Sequence, residues 1–129
     1  MSMAADIASL ELIAAVHQMP IMDQKAFDHL VHRLQQHVSH FEWVGLYLLE
    51  RSGDPHYFLK AAAGDQVPES MARKAILQVE IPSSAEDVLG KLTVTSNTAV
   101  AFDESDYTSL AALVAEIGKK IEQSNENHQ

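Results

Sequence analysis

The segment Phe41-Glu-Trp-Val-Gly-Leu-Tyr-Leu-Leu-Glu50 constrains this chain more than any other. Its residues alternate like a strand, yet both parities are apolar: Val44, Leu46 and Leu48 on one side, Trp43, Gly45, Tyr47 and Leu49 on the other. Such a strand is stable only if it is central in a sheet or covered on both faces. The rest of the chain must therefore supply neighbouring strands and a layer to pack against them.

The flanking sequence supplies both. Arg51-Ser-Gly-Asp-Pro55 is a turn, and residues 56–63 return as a hairpin partner. Residues 75–82 and 88–96 read as two further strands. In them Leu77, Val79, Ile81, Leu92 and Val94 alternate with Gln78, Glu80, Lys91, Thr93 and Thr95, so one face is apolar and the other polar. Glu80 and Lys91 share the polar face and are placed to pair across strands. Three helices complete the pattern. The first covers 6–18, with Ile7, Leu10, Ile13, Ala14 and Val16 apolar, and stops at Pro20. The second opens at Asp23, an N-cap with Met22 and Phe27 as its hydrophobic staple, and buries Phe27, Leu30, Val31, Leu34, Val38 and Phe41. The third, 103–123, is capped by Asp103, with Phe102 stapling onto Tyr107.

Composition removes several functions. At 129 residues the chain fits one domain, with 124–129 as a polar tail. A formal charge of −9 argues against nucleic acid, because phosphate contacts need a basic face. No apolar run is long enough to span a membrane, and the N-terminus lacks a basic signal region, so a cytoplasmic protein is expected. The absence of cysteine excludes thiolate nucleophiles, thiolate metal sites and disulfides. Neither G-x-S-x-G nor a phosphate-binding glycine pattern occurs.

With Trp43-Val-Gly-Leu-Tyr-Leu-Leu49, Gly90-Lys-Leu-Thr-Val-Thr-Ser96 and Phe102-Asp-Glu-Ser-Asp106 in this order, the chain resembles a GAF domain, and within that family the free methionine-(R)-sulfoxide reductases. The resemblance implies an α+β fold: an antiparallel sheet of about four strands, terminal helices on one face and a ligand pocket on the other. It also exposes departures. The cysteines with which that branch reduces its substrate are missing, and its pocket acids fall on Thr93, Thr95 and Gln78. Most GAF domains place several dozen residues where this chain has only 64–74, which implies a shortened pocket lid. No catalytic residue, metal or cofactor is expected.

The expectation for function is a non-catalytic regulatory or signalling module that acts by homodimerisation or by binding a protein partner. The alternative is a sensor with a reduced pocket over Trp43 and Tyr47, in which Gln78, Thr93 and Thr95 would suit a small neutral metabolite. A reductase-type enzyme is the third possibility. Leu113, Val114, Ile117 and Ile121 of the last helix are candidate dimer contacts, although a 3-4 stripe of this length is more often core. His29, His32, His37 and His40 fall on one side of the second helix, more simply a solvated face than a metal site.

Overall fold

The computed structural model describes residues 3–38, 40–64, 75–85, 87–96 and 102–126. The shortened lid expected at 64–74 therefore lies, after Gly64, outside the described residues. Three helices, α1 (Met3–Gln18), α2 (Gln24–His37) and α3 (Glu104–Glu126), pack with four strands, β1 (Trp43–Glu50), β2 (His56–Gly64), β3 (Ala75–Pro82) and β4 (Val88–Ser96). The sheet is antiparallel throughout, in the order β2-β1-β4-β3. The doubly apolar strand β1 is thus central, as its composition requires.

One sheet face carries the core. Val44 and Leu46 of β1 stand opposite Val94 and Leu92 of β4, and Val79 opposes Leu92 from β3. All of them are buried, together with Leu30, Val31 and Leu34 of α2 and Leu110, Leu113, Val114 and Ile117 of α3. α2 covers β1 and β2, α3 covers β3, and α1 lies against both helices. Hydrogen bonds from Ser109 to Asp6, and from His17 and Lys120 near the other end, show that α1 and α3 run in the same direction. Gly118 lets α3 approach the sheet, for a Cβ there would sit 2.2 Å from the Pro82 carbonyl oxygen.

A β-bulge decides which β2 side chains join the core. Leu46 pairs with Ala61 but Tyr47 pairs with Leu59, leaving Lys60 as the extra residue. Without it, Ala61 and Ala63 would share a face with Tyr57 and Leu59. With it, the two alanines turn inward while Tyr57 and Leu59 stay beside Tyr47. The Lys60 carbonyl freed at the bulge accepts a hydrogen bond from Gln24 Nε2, and its ammonium lies 5.8 Å above the Phe27 ring.

Several sequence expectations change in detail. On α1 the buried residues are Ala8, Ser9, Leu12 and Val16, whereas Ile7 and Leu10 are 53% and 67% exposed. The helix has apolar residues on two sides, and the described residues pack against only one. α2 ends at His37 with Val38 as its C-cap, so Phe41 reaches the core from the connection to β1. The predicted staple of α3 does not form around Tyr107, which is 51% exposed; Phe102 packs instead on the rings of His40 and Phe41. That helix also runs to Glu126, past its predicted end at 123. The Asp103 cap is present and reciprocal: Asp103 Oδ1 accepts from the Asp106 N–H, and Asp106 Oδ2 accepts from the Asp103 N–H.

Glu122, near the end of α3, ties down the β3–β4 turn. Its carboxylate accepts the Ser84 N–H and the hydroxyls of Ser83 and Ser84, and the Ser84 N–H first among these holds its pKa below the usual value. A carboxyl depressed in the folded state stabilises the fold above its unfolded pKa, and that stabilisation is lost as pH falls through the folded value. Glu122→Gln is therefore expected to lower the melting temperature at pH 7 and to have a progressively smaller effect as the pH falls through the carboxylate range. Equal effects across that range would show that the carboxylate charge has no part in holding the turn.

Candidate functional site

The register of the sheet gathers the predicted site residues on the face away from the helices. Trp43 stands opposite Thr95, Gly45 opposite Thr93, and Tyr47 opposite Lys91. From the edge strand, Gln78 opposes Thr93 and Glu80 opposes Lys91. Strand alternation places all of these on one surface, joined by Tyr57, Leu59 and Ala62 from β2. The five residues Trp43, Tyr47, Gln78, Thr93 and Thr95 are thus together, with Gln78 exposed at the edge and the threonines at the centre.

Trp43 does not stand upright from the sheet. A Cβ on Gly45 would lie 2.1 Å from Trp43 Cη2, so the indole lies along β1 over the glycine. Only glycine leaves room for it. The ring therefore runs alongside Thr93 and Thr95, the cross-strand partners of Gly45 and Trp43.

The two threonines are the unusual members. Thr93 and Thr95 are 8% and 7% exposed, and among the described residues their hydroxyls have no hydrogen-bond partner. A buried polar group left unpaired costs about 1–3 kcal/mol, and most such groups in folded proteins are satisfied. Two side by side on one strand face mark a place where donors and acceptors are held ready.

The predicted Glu80–Lys91 pair is not made. Lys91 leans the other way, its ammonium 5.2 Å from the Tyr47 ring centroid and 4.4 Å from that of Tyr57. Tyr47 stands directly opposite Lys91, and the β1–β2 register sets Leu59 and Tyr57 beside it on the same face, so two aromatic rings lie within reach of the ammonium. The displaced partner was not legible in the strand periodicity alone.

Other candidates fall elsewhere. Leu113, Val114 and Ile117 are buried in the chain's own core, and Ile121 packs partly against it, so the first three offer no surface to a second copy. His29, His32 and His37 are exposed on α2, but His40 is outside the helix and hydrogen-bonds Asp106 Oδ1 through Nε2 at 3.1 Å. Asp106, 1% exposed, thereby joins the α2–β1 connection to the start of α3. This anchor is carried by the Asp103-x-x-Asp106 spacing, a capping box with aspartate in place of the usual glutamate. Among the described residues no group of three or more His, Asp or Glu side chains is placed to hold a metal ion, and no helix is long and apolar enough to cross a membrane.

The architecture is that of GAF domains. The chain is similar to the GAF domain of the Acinetobacter phosphoenolpyruvate-protein phosphotransferase, with a TM-score of 0.78 at 14% identity over 98% of this chain and 97% of that one. It is also similar to the GAF domain of the Coxiella burnetii phosphoenolpyruvate-protein phosphotransferase, with a TM-score of 0.77 at 14% identity, covering 98% and 97%. The free methionine-R-sulfoxide reductase of Neisseria meningitidis, solved in complex with its substrate, gives a TM-score of 0.77 at 17% identity, covering 93% of this chain and 89% of the reductase. The fold is thus shared with GAF domains and with enzymes alike, and at such identities the likeness is one of fold. No protein-family model and no curated protein matches the sequence.

Because their hydroxyls are buried and unpartnered, Thr93→Val and Thr95→Val are each expected to raise the unfolding free energy of the ligand-free protein, by up to about 1–3 kcal/mol. Urea denaturation measures this directly. A loss of stability in both variants would mean that the hydroxyls are satisfied in solution.

Proposed function

We propose that this chain is a non-catalytic regulatory module, one domain acting in a cytoplasmic setting, that works by self-association along the outer side of α1. The observation that carries this reading is the uncovered stripe of Ile7, Leu10 and Ala14. At about 100° per residue these three share one side of the helix, opposite the buried Ala8, Leu12 and Val16. A second copy suits the stripe better than an unrelated partner does. In an antiparallel twofold pair centred beside Leu10, the large Ile7 of one copy meets the small Ala14 of the other, and Leu10 meets its own counterpart. The acids flanking the stripe are already engaged within the chain. Asp6 accepts from Ser109, and Glu11 pairs with Arg33 at 3.4 Å, which limits repulsion between two acidic copies.

The non-catalytic part of the reading is supported by the chain's chemistry. It contains no cysteine, and the positions that resemble the reductase pocket acids hold Thr93, Thr95 and Gln78. A methionine-sulfoxide assay showing turnover would overturn it.

A second reading has an observation of its own. The unpartnered hydroxyls of Thr93 and Thr95 beside Trp43 favour a sensor whose small ligand occupies the outer sheet face. The two readings use opposite sides of the molecule and are compatible.

Leu10→Glu separates the first from its rivals. Leu10 is exposed, so the fold is expected to survive, while a charge at the centre of the pair is expected to shift sedimentation from dimer to monomer. A wild-type protein that sediments as a monomer at every concentration up to the millimolar range would overturn self-association.

A further inference from the structure

Lys91 is out of place. The chain has twice as many acidic as basic residues, and Glu80 stands directly across the β3–β4 pair from Lys91. Yet Lys91 makes no ion pair among the described residues and is only partly exposed, its ammonium resting between the rings of Tyr47 and Tyr57. Aromatic faces attract an ammonium but accept none of its hydrogen bonds in full, so its N–H donors remain available. By register, Lys91 and Glu80 are the charged residues on this face of the central and β3 strands, and Glu80 is exposed at the edge.

Along β4 the same face presents Lys91, then Thr93, then Thr95. Successive same-face residues are about 7 Å apart. A cation and two unpartnered hydroxyls thus form a line about 13 Å long, bordered by the Trp43 indole and the Tyr47 ring. We propose that this line takes a small organic carboxylate lacking an amino group, with Lys91 holding the carboxylate and Thr93 and Thr95 hydrogen-bonding its polar body. The inference rests on the sensor reading above and assigns its ligand a charge. From Gln78, Thr93 and Thr95 alone a neutral ligand is expected; the position of Lys91 changes that expectation. An α-amino group would find neutral residues at Gln78, Thr93 and Thr95. Glu80, the acid on this face, is solvent-exposed at the sheet edge, where its charge is screened, so free amino acids are disfavoured against hydroxy or aryl acids of the same skeleton.

The chain contains a single tryptophan, and it borders the site, so its fluorescence reports occupancy. The test titrates the full chain with 2-hydroxy-4-methylpentanoate and benzoate, with the corresponding amides, and with leucine, following both fluorescence and melting temperature. The carboxylates are expected to bind about tenfold or more tightly than the amides and leucine. Lys91→Gln should remove that advantage, and Lys91→Arg should restore it. Amides binding as tightly as acids, or Lys91→Gln leaving the carboxylates unaffected, would overturn the charge assignment while leaving the sensor reading standing. No response to any of these compounds, together with stabilisation by Thr93→Val that is unchanged when the carboxylates are present, would overturn both.

Discussion

The register of β1 against β4 is the constraint on which the rest of the molecule depends. Val44 must face Val94, and Leu46 must face Leu92, for the helices to have a continuous apolar surface to cover. A slip of β1 by one residue would turn Trp43 and Tyr47 into the core and expose Val44 and Leu46. The same register that builds the core therefore composes the opposite face: Trp43 with Thr95, Gly45 with Thr93, Tyr47 with Lys91. Gly45 secures it locally, since any side chain there would displace the indole. Core and site are two readings of one pairing, and neither can be shifted without the other.

Where the chain deals with apolar surface by simple periodicity, the sequence was enough to find it. The four strands, their order of faces, the Asp23 and Asp103 caps and the co-facing of Trp43, Tyr47, Gln78, Thr93 and Thr95 all follow from alternation and capping chemistry. What periodicity cannot report is which of two apolar sides a helix buries. On α1, Ile7, Leu10 and Ala14 form as good a stripe as Ala8, Leu12 and Val16, and only the packing of α3 distinguishes them. Residues next to an element end were missed for a related reason. His40 continues the helical spacing of His37, but α2 has already ended, and its ring turns to Asp106. The Lys60 bulge likewise has no strong local signature, and with it went the inward turn of Ala61 and Ala63.

The helix-facing side of the sheet obeys the ordinary rules of packing, and the other side departs from them repeatedly. Its threonine hydroxyls are buried without partners among the described residues, and its lysine leaves the acid across from it for two aromatic rings. The unpaired hydroxyls cost stability, and a chain selected only to fold could avoid that cost with valines. These features meet on one surface, at alternate residues along β4. Local rules are broken together where a surface is shaped for something other than the fold itself. α1 presents the complementary case: its outer stripe is unremarkable as packing and unusual only in being uncovered. The outer sheet face thus sets unsatisfied hydroxyls among exposed Leu59 and Ile76, while the far side of the molecule carries the exposed Ile7 and Leu10 of α1. The layer between them, α3 against β3 and α1 against α3, is continuous packed core.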